Sequence, residues 1–209
     1  MSDQGLREFV DRAAASRAAA ELLADALRAR LAVDARATLI VSGGSTPVAC
    51  LNHLADQALP WSRVDVSLTD ERCVAEDHEA SNSGMVRREL LRGAAAAATV
   101  VAPDAAALAT PRFAAVLVGM GADGHFASLF PDAADLATGL DLSNAAGTLR
   151  IETSASPHTR ISMTLARLVA ADTLLLLSFG AAKRAVLRAP AGMPIEALLR
   201  QSPLVFWAP

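Results

Sequence analysis

The sequence contains no tyrosine, two tryptophans and six phenylalanines, so aromatic residues occupy 4% of its 209 positions. Its interior must therefore be assembled from Ala, Leu and Val, which are small enough to let helices approach closely. Cysteine is also scarce. Cys50 and Cys73 are too few for a disulfide framework, and their separation matches no zinc-binding spacing. No block of five or more basic residues stands out, and 19 basic against 22 acidic residues leave a formal charge of −3. That balance argues against nucleic acid and anionic membrane as partners, while leaving room for a small anionic ligand. Long apolar runs are missing as well: the strongest, around Leu174–Phe179, is far too short to span a bilayer. The opening MSDQGLREFVDRAAAS has acidic residues and no apolar signal-peptide core, which points to a cytoplasmic protein.

With hydrophobic residues at 53% and charged residues at 20%, the chain should fold around a real core. Its length suits one domain over residues 1–209, and no Gly-, Pro- or Ser-rich linker divides it. The Ala runs at 94–98 and 104–109 are composition bias, within an Ala-rich segment, 92–113. Residues 7–31, rich in Ala, Leu and Arg without Gly or Pro, predict a helix. ATLIV then predicts a strand stopping at the glycines of SGG, with Ser45, Thr46 and Pro47 as a helix start. VDVSL at 64–68 reads as a strand leading into a polar loop, TDERC, and Ser81 and Asn82 can cap a helix running to about Leu91. Further strands are expected at 99–103, 114–121, 148–153 and 172–180, then a helix at AAKRAVLR, another at PIEALLRQ and a last strand at PLVFW. Strands alternating with helices predict an α/β fold whose mostly parallel, doubly wound sheet is covered on both faces. Ligands in such folds collect at the carboxyl ends of strands. Four loops fall there: 42–47, 69–73, 119–126 and 180–183.

In Ser42-Gly43-Gly44-Ser45-Thr46-Pro47, glycines let the backbone approach a ligand, and N–H groups at a helix start favour an anion. The loop matches neither the Walker pattern nor the dinucleotide fingerprint, and it also reads as a plain capped turn. Asp70, Glu71 and Arg72 after a strand could bind sugar hydroxyls, but standing alone they read more readily as a surface ion pair. Gly119-Met120-Gly121-Ala122-Asp123-Gly124-His125 is denser in meaning. Three glycines force a tight turn after a buried strand and deliver His125, beside Asp123, where a general base is useful near neutral pH. Lys183 falls in the first turn of its helix, an unfavourable place for a cation unless an anion is bound there. Arg160 can grip a phosphate with two parallel hydrogen bonds, although both it and Lys183 also read as ordinary exposed residues. His78, in CVAEDHEASN, is a candidate for the edge of the same site.

Taken in order, SGGSTP at 42–47, TDERCVAEDHEASN at 69–82, GMGADGHFASLFP at 119–131, RISMT at 160–164 and GAAK at 180–183 resemble the 6-phosphogluconolactonase family. The resemblance implies the fold of glucosamine-6-phosphate deaminases, similar to that of ribose-5-phosphate isomerases. It implies hydrolysis of 6-phospho-D-glucono-1,5-lactone by water, without a cofactor or metal, and no partner beyond this small-molecule substrate. Carried over motif by motif, His125 becomes the general base. Asp123 and Asp70 order His125 or the substrate. Gly43, Gly44, Ser45, Thr46, Arg160 and Lys183 hold the phosphate, with Arg72 facing the same anionic region. Backbone N–H groups of 119–125 are expected to meet the developing oxyanion. Phe126 stands where family members commonly carry Thr.

Two other readings remain on sequence grounds. Glucosamine-6-phosphate deaminases are similar in their phosphate loop, Asp70 and Asp-Gly-His loop, but they resemble one another in an Asn-Glu-Pro stretch where this chain has Leu129-Phe130-Pro131. A non-catalytic sugar-phosphate-binding domain would normally carry a DNA-binding segment, and residues 1–36 are short for one and carry no net positive charge.

Overall fold

The computed structural model describes residues 5–104, 108 and 110–209; residues 105–107 and 109 of the Ala-rich segment, and the first four residues, lie outside it. In chain order the elements are β1 (Leu6–Glu8), α1 (Arg12–Val33), β2 (Ala37–Val41), α2 (Val48–Ala55), β3 (Val64–Leu68), β4 (Asp70–Arg72), α3 (Asn82–Glu89), β5 (Thr99–Val100) and β6 (Phe113–Val118). They continue with α4 (Leu136–Leu140), β7 (Thr148–Ile151), β8 (Arg160–Met163), α5 (Leu165–Val169), β9 (Ala171–Phe179), α6 (Ala181–Arg188), α7 (Ile195–Leu199) and β10 (Leu204–Ala208).

Seven strands form one parallel sheet in the order β1-β10-β9-β6-β2-β3-β5. Alternate residues of its central strands enter two different cores. Leu39, Val41, Leu117 and Leu177 join α1 and α2 on one face, while Ile40, Val116, Val118 and Leu176 join residues of α5, α6 and α7 on the other. Such strands are apolar over most of their length, β6 throughout, as the expected α/β fold with both faces covered requires. The face of α1 against the sheet is Ala15, Ala19, Ala20, Leu23, Ala24 and Leu27, all fully buried. Its alanines bring the helix close to the strands, and each buried Leu contributes roughly 1.5–3 kcal/mol of hydrophobic stabilisation.

Two sequence expectations need correction. The helix predicted over 7–31 begins only at Arg12, because residues 6–8 pair in parallel with Val205–Trp207 at the sheet edge and Asp11 caps the helix by accepting from Ala14 N. Leu, Arg and Glu are good helix formers, but pairing with a strand from the other end of the chain overrides that local preference. Secondly, the predicted polar loop at Asp70–Arg72 is a short strand. It pairs antiparallel with β8, which pairs with β7, giving a separate three-stranded sheet that sequence patterning did not disclose. Among the described residues no helix is long and apolar enough to cross a membrane.

Strand order fixes where a ligand can sit. From β2 the chain steps outward through β3 to β5, then restarts at β6 and steps the other way through β9 to β10. Neighbours β2 and β6 therefore flank the switch point, where diverging loops open a crevice at the strands' carboxyl ends.

Candidate active site

A cleft of about 240 Å³ opens at that switch point, lined from several loops at once. Gly43, Gly44, Ser45 and Thr46 come from the loop after β2, and Asp70 and Arg72 from β4. Gly119, Met120, Gly121, His125 and Ala127 follow β6, Arg160 opens β8, and Lys183 lies in the first turn of α6. Ser42 and Asn82 complete the wall. The residues that the sequence singled out for the site line this cleft except Glu71, Asp123, which stands behind His125, and His78, which is exposed and absent from the lining.

The glycine loop is shaped by two local demands. Gly44 sits at φ +85°, in the left-handed region where a side chain is strained. Gly43 has no room for one: a Cβ there would lie 2.0 Å from Asn82 Oδ1. Asn82 in turn donates through Nδ2 to Asp70 O at 2.8 Å, locking the loop's neighbour to β4. Ser45 and Thr46 do not cap α2 as the sequence suggested. Pro47 occupies the cap position without a side-chain bond, and Thr46 Oγ1 instead accepts from Lys183 Nζ at 3.4 Å. Half-buried, Lys183 has its pKa lowered by desolvation first and by nearby Arg12 second.

Asp70 is a buried carboxylate with its lone pairs in use. Thr69 Oγ1 donates to Oδ1 at 2.9 Å, Ser128 Oγ donates to Oδ2 at 2.5 Å, and Arg160 Nη1 approaches Oδ2 at 3.4 Å. Arg160 also reaches Ser128 Oγ at 3.3 Å and Ser156 Oγ at 3.0 Å, and its guanidinium lies over the Phe130 ring at 5.2 Å. Burial lowers the Arg160 pKa, and the facing Arg72 guanidinium, its partner across the β4–β8 pair, lowers it further; Asp70 opposes both. Glu71 has a different task from the one the sequence left open. Its carboxylate accepts from the backbone N–H groups of Arg72, Asn82 and Ser83, so it secures the start of α3 and does not line the cleft. Of the ionisable wall residues, Arg72, Arg160 and Lys183 face a single carboxylate, Asp70, already engaged. Such a cleft is built for an anion.

At the other end, His125 Nδ1 lies 2.6 Å from Asp123 Oδ1. An Nδ1–H donated to that carboxylate leaves Nε2 as a proton acceptor, and the carboxylate stabilises the imidazolium formed when Nε2 takes a proton. The imidazole rests against Phe130, with ring centroids 4.1 Å apart and planes tilted by 30°. The turn that delivers it is closed internally, Gly121 N donating to His125 O, Gly124 N to Gly121 O and His125 N to Asp123 Oδ1. Those three N–H groups are thus committed to the turn, and the expectation that this whole segment offers oxyanion donors narrows accordingly. Gly121 is required for the pair itself, since a Cβ would lie 2.3 Å from both Asp123 Oδ1 and His125 Nδ1. Gly121→Ala should therefore displace the imidazole from its carboxylate partner, and if catalysis uses that pair kcat should fall about 10–100-fold in steady-state kinetics.

Phe126 is fully buried in the second core and does not line the cleft. Ser128 and Phe130, which grip Arg160 from the segment after His125, were not legible as site residues; only their place in the Gly-His loop motif hinted at them. Neither cysteine competes as a nucleophile: burial pushes Cys50 up to about 12, and Cys73 is exposed and outside the cleft.

Residues 10–207 match the family model described as glucosamine-6-phosphate isomerases/6-phosphogluconolactonase. A curated 6-phosphogluconolactonase of Pseudomonas putida is 39% identical over 98% of this chain and 93% of its own length. The crystal structure of a 6-phosphogluconolactonase from Shewanella baltica OS155 superposes with a TM-score of 0.89 at 31% identity, covering 98% of this chain and 97% of that one. A monomeric glucosamine-6-phosphate deaminase shares the fold, with a TM-score of 0.72 at 16% identity over 97% of this chain and 96% of its own. The protein belongs to the glucosamine-6-phosphate isomerase/6-phosphogluconolactonase family.

Proposed function

We propose that the cleft hydrolyses 6-phospho-D-glucono-1,5-lactone to 6-phospho-D-gluconate. The observation that carries this reading is a His–Asp pair and a cationic cradle opening into one cleft. The phosphate lies against residues 43–46, Lys183 and Arg160, with Arg72 adding positive potential. That grip fixes the sugar so that its carbonyl carbon, C1, meets a water beside His125. Nε2 removes a proton from the water as its oxygen bonds to C1. The C1–ring-oxygen bond then breaks, and the imidazolium returns the proton to the leaving ring oxygen. Asp123 holds the imidazole in the required tautomer throughout. Asp70 acts through Arg160 and Ser128, holding the guanidinium toward the cleft.

A deaminase would need a second carboxylate beside the histidine for its proton relay, at the position held by Phe130, whose apolar ring packs against the imidazole. Freshly prepared phospholactone, assayed with correction for spontaneous hydrolysis, should be consumed well above background. A background rate together with ammonia release from glucosamine 6-phosphate would overturn the reading. In the same assay Lys183→Ala should raise KM about tenfold while kcat changes little, because a charge-assisted contact to a non-reacting phosphate is made equally in ground and transition states.

A further inference from the structure

Six buried side-chain polar atoms lack a hydrogen-bond partner among the described residues, and three of them belong to residues lining the cleft: Arg72 Nε, Arg160 Nε and Ser42 Oγ. Buried polar groups in folded proteins are nearly always satisfied, so unpartnered ones gathered around one cavity point to a ligand that completes them. The two arginines already have an anion to meet. Ser42 has no such assignment, and it is 5% exposed.

Its position narrows what it meets. Ser42 follows the last residue of β2, and its N–H is held by Leu117 O of β6 at 2.9 Å. Its hydroxyl lies 3.2 Å from where a Cβ on Gly119 would stand, so Gly119 leaves that oxygen room. One neighbour in sequence is Gly43 of the phosphate loop, and Gly119 begins the turn that ends at His125. The hydroxyl thus lies in the cleft lining where the loop after β2 meets the start of the turn that delivers His125. We infer that Ser42 Oγ hydrogen-bonds a hydroxyl of the substrate's carbon chain between its phosphate and C1, making it a substrate-binding residue that selects for a polyol phosphate.

The inference rests on the proposed lactonase reading, and the test separates the two. Titration calorimetry of the wild type and Ser42→Ala uses two probes, 6-phospho-D-gluconate and inorganic phosphate, alongside thermal unfolding of the free proteins. Removing the hydroxyl should raise Kd for 6-phospho-D-gluconate about five- to tenfold. Kd for inorganic phosphate should stay within about twofold, because a contact to the carbon chain is not made by phosphate alone. The free variant should unfold at the same or a higher temperature, since it loses no internal hydrogen bond and sheds an unpartnered buried group. Ser42→Cys, close in size and a weak donor, should weaken sugar-acid binding in the same direction. Equal affinity for 6-phospho-D-gluconate in wild type and Ser42→Ala overturns the inference. So does an equal loss for both probes, and so does a marked fall in the unfolding temperature of the free variant, which would make the hydroxyl structural. A wild type that hydrolyses the lactone while Ser42→Ala binds normally defeats this inference alone; a wild type that neither hydrolyses nor binds defeats the function beneath it too.

Discussion

Replacing His125 with alanine should lower kcat about 10²–10⁴-fold and leave KM within about threefold of the wild type, the range expected when a positioned general base is removed. The split follows from the geometry. The groups assigned to hold the substrate, residues 43–46, Arg160 and Lys183, reach the cleft from β2, β8 and α6, and none depends on the imidazole for its place. Substrate should therefore still dock in the variant. Water in front of C1 would have no acceptor for its proton, and the leaving ring oxygen no donor. A strained lactone already hydrolyses slowly unaided, so a residual rate above background is expected from binding alone. Single-substrate kinetics checks both numbers. A variant with near-normal kcat would remove His125 from the mechanism, while a large rise in KM with kcat preserved would make it a binding residue.

The second large effect is expected at Arg160. Changing it to alanine should raise KM about 10–100-fold, the usual cost of losing a charge-assisted grip on phosphate. Stability should fall too, and magnitudes decide by how much. Breaking a buried ion pair so that the partner charge is stranded costs about 3–5 kcal/mol. Asp70 is not stranded, because Thr69 and Ser128 still donate to its two oxygens at 2.9 and 2.5 Å. The Arg160–Asp70 contact is itself long, at 3.4 Å. A loss of about 1–3 kcal/mol is therefore expected, readable from denaturant midpoints beside the kinetics. Relief of the repulsion between Arg160 and Arg72 works against part of that loss. If Arg160→Ala left KM unchanged, the phosphate would have to lie elsewhere in the cleft.

Much of this fold was readable from local pattern. Strands β2, β6 and β9 send residues into both cores, so they stand out as largely apolar runs, whereas β3 alternates Val64, Val66 and Leu68 with Asp65 and Ser67; the glycines after β2 and β6 mark where those two stop. The candidate cleft was legible in part because its loops fall at strand ends and are rich in glycine or polar residues. What stayed hidden depends on partners far away in sequence. β1 exists only because Val205–Trp207 lie beside it, and β4 only because it pairs with β8, which β7 flanks on its other side. Glu71 looked like a candidate for binding sugar until its carboxylate was seen to secure the first turn of α3. The roles of Ser128 and Phe130 likewise appear only once Arg160 is placed against them. Asp70, legible as a site residue, is given its neighbours by folding: its hydroxyl and guanidinium partners Ser128 and Arg160 are widely separated from it along the chain.

The most direct test is a crystal structure with 6-phospho-D-gluconate bound. The phosphate oxygens should lie about 3 Å from donors of residues 43–46, Lys183 and Arg160, with C1 about 3–4 Å from His125 Nε2. A ligand bound in the reverse sense, with its phosphate at His125, or one seated outside this cleft, would contradict the account.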